Sequence, residues 1–201
     1  MATTHALAGA AVASLTFAVA PEYAPIAVAS GFLGGLFPDF DLYVGHRRTL
    51  HFPVYYSLAA VTAVTFAALA PTPRVVAVAL FLVGAALHSV TDVLGGGLEL
   101  RPWQGQSDRA VFSHFHGRWL RPRRWVPYDG APEDLAVAGV LAVPTYLASS
   151  GHLRRLVALA VIVSAGYTLL RKPLAEAARL LASLVPPSLR SYVPDRYLRS
   201  S

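Results

Sequence analysis

The side chains best suited to metal chemistry gather at three points of an otherwise apolar chain. The connection 38–51 carries two aspartates, two histidines and two arginines between apolar segments. His88 and Asp92 stand four residues apart, so a helix would place both on one face. His5 lies near the start of the chain. The candidate metal ligands are His5, Asp39, Asp41, His51, His88 and Asp92.

Imidazole nitrogens and carboxylate oxygens together suit Zn²⁺, Mn²⁺, Fe²⁺ or Ni²⁺ better than Ca²⁺. The chain has no cysteine, which excludes thiolate ligands, disulfides and a cysteine nucleophile. We expect one or two divalent ions, zinc or manganese. Either Asp39 or Asp41 could ligate while the other orients a histidine. Asp41 or Asp92 could also bridge two ions.

Asp41 and His46 are the candidate catalytic residues. His46, or a carboxylate that is not a ligand, would act as the general base. Arg47 and Arg48 are the candidate substrate-binding residues, because a guanidinium fork matches phosphate oxygens. A role of both arginines in membrane topology is an equally open interpretation.

The composition is typical of an integral membrane protein. Of 201 residues, 55% are hydrophobic and only 14% are charged, with a mean hydropathy of +0.49. Soluble domains usually carry about 25% charged residues. The net charge of +6 lies beside apolar segments, so anionic lipid explains it better than nucleic acid, and no direct nucleic-acid binding is expected.

Six apolar segments predict an all-α fold, a polytopic membrane helical bundle followed by a C-terminal amphipathic helix. Five of them approach the ~20 residues that cross a bilayer, whereas the second is short. Gly31 and Gly35 give this second segment the GxxxG spacing of closely packed helices. The segments are 4–20, 24–37, 52–70, 74–94, 133–149 and 153–170.

The chain is expected to form one membrane-embedded helical domain over residues 1–185. Arginines alternate with Phe and Trp in the connection between the fourth and fifth segments, a mixture that suits the lipid headgroup layer. The predicted parts are a metal-site half (1–103), an interfacial loop (95–132), two helices (133–170) and a tail (186–201).

If all six segments cross, fourteen of the seventeen Lys and Arg residues lie on one side of the membrane. The positive-inside rule then makes this side cytoplasmic. His88 and Asp92 approach the same side, since they follow Arg74 by most of a membrane-spanning helix. The prediction is a multi-pass protein of the plasma or inner membrane, in contact with the lipid bilayer, whose metal site faces the cytoplasm.

Four motifs occur in order: "THALAG", "GLFPDFD", "HRRTLH" and "HSVTD". Together they resemble the membrane-bound, metal-dependent hydrolase family of the YdjM type, described as LexA-binding proteins of the prokaryotic inner membrane. The resemblance covers residues 1–103 and implies hydrolysis, a regulator protein as partner, and a site that includes His46. The family usually has threonine directly before the second histidine, where this chain has Leu50. The full implied site is His5, Asp39, Asp41, His46, His51, His88 and Asp92.

The His-x3-Asp element also resembles the zinc-dependent phospholipase C and nuclease family, although that family's later His-x3-Glu element is absent. The function expected is a membrane-bound metal-dependent hydrolase acting on a phosphoester or lipid-type substrate. The alternative is a non-enzymatic membrane protein with a structural metal site or a regulator-binding role. Transport is disfavoured, because Glu22 is the only acidic residue expected on the opposite side.

Overall fold

The computed structural model describes residues 2–193 and 197, so most of the expected tail beyond residue 193 lies outside the described residues. The described chain is mostly helical. It begins each of its longer central helices at a proline, whose missing N–H costs nothing in a first turn. The α-helices of this part are α1 (Ala2–Ala13), α2 (Thr16–Val19), α3 (Ala24–Leu36), α4 (Pro53–Leu69), α5 (Pro73–Thr91), α6 (Pro132–Ala148) and α7 (Gly151–Ser183).

Within the described residues, three helical stretches are long and apolar enough to cross a membrane. They are Ala2–Val19, Pro73–Leu94 and Gly151–Ser183. The predicted second, third and fifth segments also form helices, namely α3, α4 and α6, but with 13, 17 and 17 residues they are shorter. A 13-residue helix extends only about 20 Å, less than the ~30 Å hydrocarbon core.

Helices α1, α3 and α5 touch through their backbones at glycines. A Cβ at Gly9 would overlap the carbonyl oxygen of Gly31, and so would a Cβ at Gly84. A Cβ at Gly35 would overlap the carbonyl oxygen of His5. Small residues allow this approach, as the spacing in α3 predicts. We call these contacts the glycine seam; they bring the ends of α1 and α5 together on either side of α3.

The hydrophobic core surrounds α1. Leu7 is fully buried and belongs to one cluster with Val28 of α3, Ala138 of α6 and Val157 of α7. Alanine supplies much of this core, so the helices pack closely. Because α1 packs closely against its neighbours, the position of its first turn, which carries His5, is fixed.

The connection between α5 and α6 departs from the all-α prediction. It contains an antiparallel hairpin of β1 (Val111–Ser113) and β2 (Arg118–Leu120). Phe112 lies opposite Trp119, with ring centroids 5.5 Å apart. Gly117 adopts φ +62 in the turn, a conformation that glycine tolerates best. The aromatic residues that were expected to favour the headgroup layer therefore also pair across a small sheet.

The C-terminal helix also differs from the prediction. The expected membrane segment 153–170 and the amphipathic helix after it form one continuous helix, the 33-residue α7, which runs through Pro173. Two ion pairs hold its second half to the preceding connection: Arg171 with Asp129 at 3.1 Å and Glu176 with Arg101 at 2.7 Å. These contacts fix the second half of α7 against the connection between α5 and α6.

Candidate metal centre

The predicted ligands converge at one end of the helices. His5 lies in the first turn of α1, and His88 lies in the last turn of α5. Asp92 directly follows the last residue of α5. Asp39 and Asp41 stand on a short 3₁₀ helix, Phe37–Asp41, that follows α3. The side chains of five of them are almost completely buried, which is rare for charged residues without a partner. These five are His5, Asp41, His51, His88 and Asp92.

Four ligand atoms face one another at the centre. His51 Nε2 and His88 Nε2 are 3.3 Å apart. Asp92 Oδ2 lies 3.1 Å from the first nitrogen and 3.7 Å from the second. Asp39 Oδ1 lies 3.4 Å from His88 Nε2 and 4.0 Å from His51 Nε2. Two overlapping groups could hold a metal ion: Asp39 with His51 and His88, and His5 with His88 and Asp92.

The outer hydrogen bonds fix which ring nitrogens carry hydrogen. His88 Nδ1 lies 2.6 Å from the carbonyl oxygen of Gly35, and His51 Nδ1 lies 3.0 Å from Asp41 Oδ2. Both acceptors lack hydrogen, so each Nδ1 is the donor, and each neutral ring then has a lone pair on Nε2. Two lone pairs 3.3 Å apart, facing carboxylates, repel unless a cation lies among them.

Asp92 Oδ2 supports this interpretation. The atom is buried, yet it forms no hydrogen bond with any residue that the structure describes. His51 Nε2 is only 3.1 Å away, but it has no hydrogen to donate when the ring is neutral. Without a metal ion, a proton is the remaining cation. Burial lowers the pKa of His51, but the hydrogen bond to Asp41 and the negative charge of Asp92 outweigh this and raise the pKa to about 9.

His5 completes the cluster from the side of α1. Its Nε2 lies 3.1 Å from Asp92 Oδ1, and its Nδ1 lies 3.1 Å from Thr91 Oγ1. The ring stacks on His88, with centroids 4.0 Å apart and an interplanar angle of 28°. The Thr91 hydroxyl itself donates to the carbonyl of Leu87 at 2.6 Å. His5 is therefore held by contacts on both ring nitrogens and one ring face.

The first turn of α1 is held by two later helices. Thr4 Oγ1 donates to Asp134 Oδ1 of α6 at 2.6 Å, and Thr3 Oγ1 lies 2.7 Å from Ser164 Oγ of α7. Sequence reasoning missed this role of Asp134, which is to position the residue next to His5.

Asp41 contacts ligands but belongs to neither group of potential ligands among the described residues. Its two oxygens accept five hydrogen bonds, which satisfies the carboxylate and holds the ring of His51. Burial raises the pKa of Asp41, but the bonds from His46 and His51 outweigh this and lower the pKa below its usual range. The donors are His46 Nδ1, Arg47 N, Arg48 N, Leu50 N and His51 Nδ1.

Asp39 and His46 form the accessible edge of the cluster. Their side chains are 25% and 18% exposed, compared with 0–4% for His5, His51, His88 and Asp92. Burial raises the pKa of Asp39, but its interactions with His88 outweigh this and lower the pKa below its usual range. Solvent or a substrate would therefore meet the cluster at this edge.

No protein-family model, curated protein or solved structure matches this chain. The chemistry is therefore inferred from the atoms of the cluster. Two imidazole nitrogens and two carboxylate oxygens form a donor set that fits a divalent transition metal or zinc. The lone-pair repulsion and the buried Asp92 oxygen indicate the same kind of occupant.

The two arginines considered for substrate binding occupy different environments. Arg47 is buried, and its Nε lies 3.5 Å from Asp92 Oδ2. Its Nη1 donates to the carbonyls of Gly96 at 2.8 Å and Ala110 at 3.4 Å. Arg48 is exposed, and its guanidinium lies 4.7 Å from the ring centroid of Phe112. Arg48 alone is open to an incoming ligand.

The hairpin β1–β2 packs on the 46–51 loop. Phe112 N donates to the carbonyl of Arg47 at 2.9 Å, and His114 Nε2 donates to the carbonyl of Arg48 at 2.7 Å. His114 also stacks on Phe52, with ring centroids 4.6 Å apart. This histidine therefore supports the loop.

Proposed function

We propose that this protein is a membrane-bound, metal-dependent hydrolase that acts on a phosphoester or lipid-type substrate at the cytoplasmic face of the membrane. The observation that carries the proposal is the pair of Nε2 lone pairs, on His51 and His88, that face each other at 3.3 Å beside buried carboxylates. Such an arrangement is unstable without a cation. The resemblance to the YdjM-type hydrolases supports the same reaction.

Zinc or manganese is the proposed ion, held by Asp39, His51, His88 and Asp92. The overlapping group of His5, His88 and Asp92 shares His88 and Asp92 with this set. A bound divalent ion would lower the pKa of a coordinated water toward ~7 and polarise the scissile group. Asp41 supports this centre from behind, since it fixes the ring of His51 and so directs Nε2 inward.

The proposed general base and phosphate-binding residue lie at the accessible edge of the cluster or next to it in the chain. Asp41 holds His46 at 3.1 Å, as a carboxylate orients the histidine of an acid–base pair. His46 is proposed to accept the proton of the attacking water. Arg48 is proposed to bind phosphate oxygens, because it is exposed close to this histidine in the chain. Arg47, which is buried, is given a different role below.

The membrane setting supports an amphiphilic substrate. Phe40 and Tyr43, on the same connection as the ligands, are 72% and 83% exposed. Exposed aromatic rings beside arginine are typical of the headgroup layer. The cytoplasmic orientation assumes that α3, α4 and α6 also cross, which gives the basic side fourteen of the seventeen Lys and Arg residues.

A structural metal site, with regulator binding as the main role, is the competing function. A structural site is usually closed by protein ligands. Partial exposure of Asp39 and His46 favours catalysis instead, since an open edge admits water and substrate.

The first test is the metal content of detergent-purified protein by elemental mass spectrometry. We expect stoichiometric zinc or manganese in the wild type and its loss in His88→Ala and Asp92→Ala. His152→Ala is the matched control, because His152 is exposed at the start of α7. Metal-free wild type from metal-replete cells would overturn the proposal.

The second test separates the enzyme from the structural site. Metal-loaded protein should hydrolyse phosphoesters in a screen that includes short-chain and long-chain lipid esters. His46→Ala should lower kcat by about 100-fold while it retains the metal. Full metal content without hydrolysis of any ester would favour the structural site.

A further inference from the structure

We propose that Arg47 takes the place of a second metal cation, so that the cluster holds one divalent ion per chain. This inference rests on the metal site proposed above and decides the number of ions, which the ligand types alone leave open.

The first argument is the balance of buried charge. Asp39, Asp41 and Asp92 bring three negative charges, and Arg47 brings one positive charge. Histidines that ligate a metal are neutral. The protein therefore presents two net negative charges, which one divalent ion neutralises. A second divalent ion would leave two positive charges in a buried region, where unbalanced charge is costly.

Two more acidic groups lie near Arg47. Asp129 is paired with Arg171 at 3.1 Å. Glu99 Oε1 accepts a hydrogen bond from the backbone N–H of Ser107, whereas its Oε2 is buried and has no hydrogen-bond partner among the described residues. Among those residues, neither Asp129 nor Glu99 belongs to a group of potential ligands, so neither would bind a second ion directly.

The second argument is the position of the guanidinium. In two-metal sites a carboxylate commonly bridges the ions, which lie ~3.5–4 Å apart. Asp92 is the carboxylate placed to bridge here. Its Oδ2 lies 3.5 Å from Arg47 Nε, and its Oδ1 lies 3.1 Å from His5 Nε2. The guanidinium therefore places a positive charge beside the same carboxylate that a second ion would share.

The third argument is that Arg47 is fixed in this place. Its side chain is 8% exposed and donates to the carbonyl oxygens of Gly96 and Ala110. The residue adopts φ +58, a left-handed conformation that is unusual for a residue with a side chain. A guanidinium also keeps its charge at every physiological pH. The internal cation is therefore permanent.

The test is a titration of metal-free wild-type protein with Mn²⁺ alone, followed by calorimetry and by electron paramagnetic resonance. We expect one Mn²⁺ per chain and the six-line spectrum of an isolated ion. Arg47→Gln should take up a second Mn²⁺ with a spin-coupled spectrum, or bind the first at least about tenfold more tightly. Arg47→Lys keeps the charge and should still bind one ion.

Arg155→Gln is the matched control, because it removes an exposed arginine of α7; it should bind one Mn²⁺ with wild-type affinity. Two coupled Mn²⁺ ions in the wild type would overturn the inference, even if Arg47→Gln fails to fold. So would an Arg47→Gln protein that binds a single ion no more tightly than wild type. A wild type that binds no Mn²⁺ or Zn²⁺ would instead overturn the proposed metal site itself.

Discussion

Two buried ionic clusters lie where the connecting segments meet the helices, and they differ in how their acceptors are satisfied. Around Asp129, Oδ2 accepts hydrogen bonds from Tyr167 Oη at 2.5 Å and from Arg171 Nε at 3.1 Å. Arg171 Nη2 also donates to Asp129 Oδ1 at 3.3 Å and to the carbonyl of Leu100 at 3.2 Å. Both oxygens of this carboxylate have donors, so the cluster is complete without a ligand.

In the candidate metal centre, by contrast, the hydrogen-bond acceptors are not all matched by donors. His51 and His88 use their N–H groups on outer acceptors and turn lone pairs toward Asp39 and Asp92. Acceptors therefore outnumber donors inside the cluster, and Asp92 Oδ2 has no hydrogen-bond donor among residues 2–193 and 197.

Burial of charge is common to both clusters, so burial does not identify a binding site. A deficit of donors does, because buried acceptors are normally satisfied. By this criterion the Asp129 cluster is a structural joint between a connection and α7, whereas the His/Asp cluster could hold a metal ion. The predictions below test this distinction and run from the largest expected effect on metal affinity to the smallest.

Replacing His88 should have the largest effect. His88→Ala removes the nitrogen that belongs to both ligand groups, and we expect metal affinity to fall by more than about 100-fold. Competition with a chromogenic chelator would measure the loss. An affinity within threefold of wild type would show that the shared nitrogen is not a ligand.

Replacing Asp41 should have an intermediate effect, although it is assigned no direct contact with the ion. Asp41→Ala removes the acceptor that fixes the tautomer of His51, and such outer partners typically contribute about 10–100-fold in affinity. The same chelator competition applies. A loss as large as that of His88→Ala would instead indicate that Asp41 ligates the ion directly.

A substitution in the glycine seam should have a smaller effect on metal affinity. In Gly35→Ala, the new methyl group would overlap the carbonyl oxygen of His5 and displace the acceptor of His88 Nδ1. We expect about tenfold weaker metal binding and a loss of about 1–3 kcal/mol of stability.

Gly139→Ala in α6 is the control for this substitution. Nothing described by the structure lies within 4 Å of a Cβ at Gly139, so alanine should leave metal affinity unchanged and stabilise the helix slightly. Equal metal affinities for Gly35→Ala and Gly139→Ala would contradict the link between the seam and the site.

Asp129→Asn should leave metal affinity unchanged. The substitution breaks the pair with Arg171, and we expect a loss of about 3 kcal/mol of stability from the uncompensated buried charge. Thermal unfolding in detergent and elemental analysis of the same sample would measure both quantities. Loss of metal without loss of stability would reverse the assignment of the two clusters.

Much of the convergence of polar residues at one end of the helices could be predicted from the sequence. The hydropathy pattern locates the helices, and the four-residue spacing places His88 and Asp92 on one face. The small residues of α3 predict the close approach of its neighbours. These signals are regular and repeat along helices, so they can be read from spacing alone.

The remaining features depend on irregular backbone or on distant partners. Which of Asp39 and Asp41 faces His88 depends on a 3₁₀ turn whose rotation no periodicity specifies. Arg47 adopts a positive φ and is buried, whereas its neighbour Arg48 is exposed. The hairpin and the unbroken α7 follow from contacts between segments far apart in the chain, which local patterns do not encode.

The hydrogen bond between Thr4 and Asp134 has a consequence for the order of assembly. Its partners are separated by 130 positions in the chain. During synthesis, α1, α3 and α5 all leave the ribosome before α6. The turn that carries His5 therefore lacks its hydrogen bond to Asp134 until α6 has been made. The candidate metal centre therefore reaches its final form only once residue 134 has emerged, so that capture of a metal ion there would be a late event in the biogenesis of this protein.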